Sequence, residues 1–145
     1  MELLPIHPAA AENAAFANHP DCRDSVGPTL DFYQRVGYEP PWIGYYARVD
    51  DKLVGAAGFK GPPRNGQVEI AYGTFSAYQH QGVGTQMCRE LVQLALEADP
   101  TLRITARTLP EENYSTKILR SNGFIWAGMT WEEEDGNVWE WLYHP

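Results

Sequence analysis

Apolar residues recur along this chain with two different periods, and each change of period marks an element boundary. Trp42 to Val49 and Leu53 to Phe59 are rich in β-branched and aromatic residues, with Asp50-Asp51 as a turn between them, so they predict a hairpin. Val68 to Ser76 alternates strictly. It places Glu69, Ala71, Gly73 and Phe75 on one face of a strand and Ile70, Tyr72 and Thr74 on the other. The period then lengthens: Met87, Leu91, Leu94 or Ala95, and Ala98 share one helical face, widened by Cys88, Val92 and Leu96. Asp99-Pro100 stops that helix, and Leu102, Ile104 and Ala106 alternate with Arg103, Thr105 and Arg107 as another strand. Pro110 to Phe124 predicts a helix with acidic residues at its start and Asn122-Gly123 as its stop. Ile125 to Glu132 and Asn137 to Tyr143 close the chain as two strands about the Asp135-Gly136 turn.

The segment before the first hairpin has a different texture. His7 to Tyr38 is rich in Ala, Asn and Pro and predicts two short helices, Pro8 to Asn18 and Val26 to Tyr38, with Pro28 in the first turn of the second. Pro40-Pro41 then breaks the chain. The predicted order is helices, three strands, helix, strand, helix, two strands, an α/β (α+β) arrangement around a central strand-loop-helix unit. At 145 residues the whole of 1–145 is expected to form a single domain.

Composition narrows the class. With 43% apolar and 12% aromatic residues, a packed core is expected rather than a disordered chain. The formal charge of -8 argues against nucleic acid as a partner, because phosphate contacts need a basic footprint. An acidic surface attracts cationic ligands such as amines or basic peptides. Cys22 and Cys88 are the only cysteines and lie far apart, which suits a reducing cytoplasm. His7, His19, His80 and His144 show no ligand spacing with Cys, Asp or Glu, so no metal is expected. The opening MELLPIHPAAAENAAF lacks the basic start and long apolar run of a secretory signal, and no stretch is apolar enough to span a membrane.

Candidate chemistry centres on Tyr78 to Val92, YQHQGVGTQMCRELV, where two glycines precede the helical run. A P-loop is excluded because no lysine follows the glycines, and Gly61 to Gly66 continues into Gln67 and Val68 where Lys and Ser/Thr are required. The dinucleotide fingerprint also fails, since Met87 stands at the third glycine position. What remains is Gln79-x-x-Gly82-x-Gly84 between a strand and a helix. On spacing alone this is either an anion-binding helix start, whose free N–H groups suit a diphosphate, or an ordinary turn relieved by glycine.

Gln79-His80-Gln81-Gly82-Val83-Gly84 resembles the Q/R-x-x-G-x-G/A signature of the GNAT superfamily of N-acetyltransferases. Val68 to Gln86 is similar to the family's fourth strand and loop. Ala106 to Phe124 is similar to its fifth strand and fourth helix in the RimJ/RimL-like branch. The resemblance runs from about Trp42 to Tyr143. It implies a mixed central sheet of six or seven strands flanked by about four helices, with the acetyl-CoA cleft beside the fourth strand. It further implies that the amides of Gln79, His80, Gln81, Gly82, Val83, Gly84 and Thr85 cradle the diphosphate of acetyl-CoA. Thr74, Phe75 and Ser76 would meet the pantetheine and supply an oxyanion amide at a bulge, with Asn113 and Ser115 flanking the thiol end. The partners implied are acetyl-CoA and a primary amine, either a small molecule or a peptide N-terminus, joined by direct attack in a ternary complex. The protein itself would be a monomer or homodimer.

Acyl transfer to an amine needs a base, because a lysine-type amine has a pKa of about 10.4. Glu69 is the candidate, working through a water: a carboxylate in mid-strand beside Ala71, Gly73 and Phe75 is partly desolvated, and desolvation raises a carboxyl pKa. The alternative is a Glu that reaches solvent or pairs with an arginine. In the family a tyrosine of the fourth helix protonates the leaving thiolate; Leu119 occupies that position, leaving Ser115 as a hydrogen-bonding substitute while Tyr114 packs on the sheet. This absence motivates an alternative, a catalytically weak CoA-binding sensor or interaction domain. A transferase for longer acyl-CoA donors is a further one.

Overall fold

A computed structural model describes residues 1–145. Its strands are β1 (Glu2–Pro5), β2 (Gly44–Val49), β3 (Lys52–Phe59), β4 (Gln67–Thr74), β5 (Arg103–Thr108), β6 (Phe124–Glu132) and β7 (Gly136–Tyr143). Its helices are α1 (Ala14–Ala17), α2 (Arg23–Val36), α3 (Val83–Ala98) and α4 (Tyr114–Ser121). All seven strands join one sheet in the order β1-β2-β3-β4-β5-β7-β6. This is the mixed α/β architecture expected, with one more strand than the hydrophobic pattern revealed.

That extra strand, β1, pairs antiparallel with β2 from Glu2↔Arg48 to Pro5↔Tyr45. Its Pro5 is tolerated because an edge strand need not donate on its outer side. The upstream helices also differ from expectation. The first shrinks to a 3-10 turn over Ala10–Asn13 and the single turn of α1. Buried Asn13 accounts for this: its side chain accepts from the His7 N–H at 2.8 Å and donates to the His7 carbonyl at 2.9 Å, tying the chain into a local loop. Helix α2 begins at Arg23, so Pro28 sits inside it, past the first turn. The Cys22 carbonyl starts the helix early by accepting from the N–H groups of Ser25 and Val26 and from the Tyr46 hydroxyl. Helix α4 begins at Tyr114 rather than Pro110, because Asn113 and Thr116 form a reciprocal capping box.

The turns between strands follow the local chemistry. Asp50 and Asp51 adopt φ of 49° and 64°, the left-handed conformation a two-residue hairpin turn requires. The main core lies between the sheet and α3/α4, with Met87, Leu91, Ile70, Ile104, Leu119 and Trp141 all essentially inaccessible. Ile6, Phe16, Cys22 and Tyr46 form a smaller core under α1 and α2. Tyr33 fastens α2 to the sheet, donating to the Ile6 carbonyl at 3.0 Å and accepting from the Gly44 N–H at 2.9 Å.

One ladder is short. β4 pairs antiparallel with β3 from Ile70 to Thr74 without interruption, but parallel with β5 only over Gln67–Glu69 against Arg103–Thr105. Beyond that point the two strands diverge.

Helix α3 approaches β3 closely enough that Gly55 has no room for a side chain. A Cβ there would lie 2.6 Å from the Gly73 carbonyl oxygen and 2.9 Å from the Met87 thioether. Gly55→Ala is therefore expected to lose about 1–3 kcal/mol of stability by overpacking against backbone. A urea denaturation midpoint equal to the unsubstituted protein's would contradict that close approach.

Candidate active site

The Gln79–Thr85 loop folds as a helix start with its main-chain donors unpaired. A 3-10 turn over Ser76–Tyr78 leaves β4, His80 takes φ 65°, and Gly82 takes φ 82° as the residue before α3. The first main-chain bond of the helix region is Gln86 N–H to the Gly82 carbonyl at 3.1 Å. None of the main-chain N–H groups from Gln79 through Thr85 has a main-chain acceptor. Such a cluster at the positive end of a helix is a ready anion site. The two glycines have different duties. Gly82 supplies the left-handed conformation with open space around it. Gly84 lets α3 close on α4 and β4, since a Cβ there would meet Ile118 Cδ1 at 2.8 Å and Thr74 Oγ1 at 3.5 Å. The loop is held from behind by Asn122, whose side-chain amide donates to the Thr85 carbonyl at 3.3 Å.

Beneath the loop is a cleft of about 330 Å³ lined by Thr74, Gln79, His80, Gly84, Ser115 and Ile118, among others. The His80 ring meets the exposed Tyr114 ring edge-on at 4.8 Å, so Tyr114 helps form the cleft mouth rather than packing on the sheet. Tyr72 and Ser115 also border a narrower slot of about 110 Å³ between the diverging strands β4 and β5. The slot passes Leu119 and reaches Lys60, Glu69 and Arg107 on the opposite face of the sheet.

The hydrogen-bond register determines which main-chain groups face this gap. Lys60 N–H donates to the Glu69 carbonyl and Phe75 N–H to the Val54 carbonyl, both at 2.9 Å, so Glu69, Ala71, Gly73 and Phe75 are spent on β3. Tyr72 and Thr74 then direct their main-chain groups toward the vacated β5 side. The bulge expected near Thr74 to Ser76 is absent from the ladder. Phe75 lies outside the cleft, its ring near Tyr46 and His19, and Ser76 lies outside it too. Val83 is buried, and the Asn113 side-chain amide oxygen caps α4 by accepting from the Thr116 N–H at 3.1 Å.

Glu69 is in the setting of the alternative reading, beside an arginine, with a lysine added. Its side chain is only 19% exposed, yet its neighbours are cations rather than apolar groups: Lys60 Nζ lies 2.8 Å from Oε2 and Arg107 Nε 3.7 Å from Oε1. The Lys60 contact lacks hydrogen-bond directionality, so Oε2 has an ionic neighbour but no hydrogen bond. Arg107 extends the network to Glu132 at 3.0 Å and Glu140 at 3.2 Å. Partial burial works against the Arg107 charge, but these carboxylates outweigh it and hold the guanidinium above its ordinary range. The hydrogen bond from Arg107 in turn holds Glu132 below the usual carboxylate range. Glu132 is thus held in the ion network through Arg107. Lys60, Arg107 and Glu140 were also invisible as site residues, because their partners come from strands adjacent only in the folded sheet.

Cys88 and Tyr72 have quieter surroundings. Burial pushes the Cys88 thiol up to about 12, partly offset by the Tyr72 hydroxyl, so it is a structural thiol rather than a nucleophile. Burial raises Tyr72 as well, with Cys88 beside it. Leu119 is 1% exposed and carries no proton donor into the slot. No helix is long and apolar enough to cross a membrane.

Comparison with known proteins agrees with this geometry. The acetyltransferase (GNAT) domain family model matches residues 2–125. An uncharacterized N-acetyltransferase, YjdG, of Bacillus subtilis (strain 168) is 35% identical over 75 residues, which are 51% of this chain and 45% of that protein. The chain therefore matches less than half the length of that relative. The fold is shared with RimL, a ribosomal L7/L12 alpha-N-protein acetyltransferase solved in complex with coenzyme A. That match has a TM-score of 0.69 and 18% identity, covering 97% of this chain and 91% of RimL. It is shared too with a ribosomal-protein-alanine N-acetyltransferase from Brucella melitensis, with a TM-score of 0.67, 19% identity and 98% of both chains covered. With a matching family model across most of its length and a sheet that parts beside a glycine-rich helix start, the chain belongs to the GNAT acetyltransferase domain family.

Proposed function

We propose that residues 1–145 act as one catalytic domain that transfers an acetyl group from acetyl-CoA to a primary amine by direct attack in a ternary complex. The observation that carries this reading is the run of unpaired main-chain N–H groups from Gln79 through Thr85 at the start of α3. They offer a diphosphate several neutral donors plus the helix dipole, which needs no lysine. Gln79 and His80 flank the entrance, and Val83 anchors the loop in the core.

The main chain of Tyr72 and Thr74 would pair with the pantetheine arm as a further strand does. The Asn113 side-chain amide nitrogen, left free by the cap, and the Ser115 hydroxyl would stand at its thiol end. A main-chain N–H facing the gap would stabilise the oxyanion, an effect worth several kcal/mol when preorganised. Glu69, through a water, would take the proton from the attacking amine. The nitrogen lone pair then forms the new C–N bond. The C–S bond breaks with its electrons on sulfur, and the second proton that the nitrogen sheds in becoming an amide passes to the thiolate. Because a thiol is acidic, about 8.5 for cysteine, this last step does not demand a tyrosine.

The slot of about 110 Å³ suits an acetyl group better than a longer acyl chain. Leu119 favours one competing reading, a CoA-binding domain with weak turnover, since the α4 residue buried at the slot carries no proton donor. Following free thiol with acetyl-CoA and a panel of amines separates the two: amine-dependent release supports transfer, and binding without release supports the sensor. The buried, unpaired thiols of Cys22 and Cys88 fit a reducing compartment such as the cytoplasm.

Two substitutions test the assignments. Gly82→Glu places a charged side chain at the donor cluster and should weaken CoA binding by about a hundredfold or more, ~2.8 kcal/mol by calorimetry. Unchanged affinity would remove the loop from the site. Glu69→Gln should lower kcat by about 10²–10⁴ while CoA affinity holds, and flatten the acidic side of the pH–rate profile. If that profile kept its shape, Glu69 would not be the base.

A further inference from the structure

On the face of the sheet opposite the cleft, the slot opens between two cavities of contrasting character. One, about 430 Å³, lies between α2 and the strands β3 and β4. Pro28 and Phe32 form its wall, while Ala56, Ala71 and Gly73 leave its floor open; Lys60 is its only charged lining residue. The other, about 340 Å³, is lined by three cations, Lys60, Arg64 and Arg107, against two carboxylates, Glu69 and Glu140. Arg64 has no acidic partner, whereas Lys60 and Arg107 do. In a chain of net charge -8 this local balance runs against the overall field. Lys60 is the one side chain common to both cavities and the slot.

We propose that the acceptor is a free α-amino acid with an apolar side chain, and that Lys60 selects it by exchanging ion-pair partners. This rests on the acetyl-transfer reading above and names its substrate class. The apolar side chain fills the cavity against Phe32. The carboxylate binds at Lys60, with Arg64 adding to the positive field, and the amine sits at the mouth of the slot beside Glu69. The substrate carboxylate draws the Lys60 ammonium from Glu69 Oε2, the oxygen with no hydrogen bond, and so frees that oxygen for the amine proton. An amine without a carboxylate leaves the Lys60–Glu69 pair closed. Lys60 thus holds the substrate carboxylate and, by leaving Oε2, releases Glu69.

The test compares leucine, leucinamide, glycine and a leucine-initiated tripeptide in the thiol-release assay with acetyl-CoA, alongside calorimetric titration of each into CoA-loaded protein. Leucine should exceed leucinamide in kcat/KM by about tenfold or more, the scale of one charge-assisted contact. Lys60→Gln should bring that ratio close to unity, and Lys60→Arg should restore it, because arginine keeps the charge. Leucinamide or the tripeptide reacting as well as leucine would overturn the carboxylate assignment, and glycine matching leucine would overturn the apolar one. If no amine releases thiol, the transfer reading fails, and calorimetry still decides the acceptor. Leucine binding without leucinamide binding upholds the assignment, and no leucine binding overturns it.

Discussion

Two parallel strands exchange hydrogen bonds only while their backbones stay within about 5 Å. β4 and β5 meet that condition from Gln67 to Glu69 and then part. The parting leaves a row of main-chain groups on Tyr72 and Thr74 without a strand to answer them, while the β3 side of β4 stays paired. It also opens a passage through the sheet, which a continuous ladder would seal. Glu69, the last β4 residue paired with β5, therefore sits at the fork, where its carboxylate faces the slot and the cations beside it.

The fork alone would be a defect; the placement of α3 beside it makes it the candidate site. Gly55 brings the helix onto β3, Gly84 brings its first turn against Ile118 and Thr74, and Asn122 ties Thr85 to the end of α4. Three separate contacts thus fix one end of a 16-residue helix beside the gap. The donors of that end stay free because Gly82 turns the chain in a conformation that presents them outward. Rigid placement matters here, since preorganised dipoles need no rearrangement when charge arrives.

Much of this was legible in the sequence wherever the cause is local. Asp50-Asp51 announced its hairpin because turn conformation is decided within two residues, and Gly136, with its φ of 71°, marked the second, whose three-residue loop runs from residue 133 to 135. The α3 stripe and the glycine loop were readable from spacing, and the loop's resemblance pointed to the family the comparisons support. The α4 start was misplaced although Asn113 and Thr116 stood at capping distance, because Pro110 and the acidic residues offered a competing start signal. β1 was missed because four residues ending in proline carry no period. The partners of Glu69 were beyond reach for a deeper reason. Lys60 follows β3 and Arg107 lies on β5, and only the folded order of strands makes them neighbours. The apolar surroundings expected from Ala71 and Gly73 were inferred along one strand, whereas the charges arrive from the strands on either side.

The central claim is that the amides entering α3 hold the coenzyme's diphosphate. Amide-resolved NMR during a CoA titration tests it most directly. The account predicts the largest shifts, and slowed solvent exchange, at the N–H groups of Gly82 through Thr85, with smaller changes at Tyr72 and Thr74. Saturable binding that leaves the Gly82–Thr85 amides unmoved while shifting signals elsewhere would contradict it.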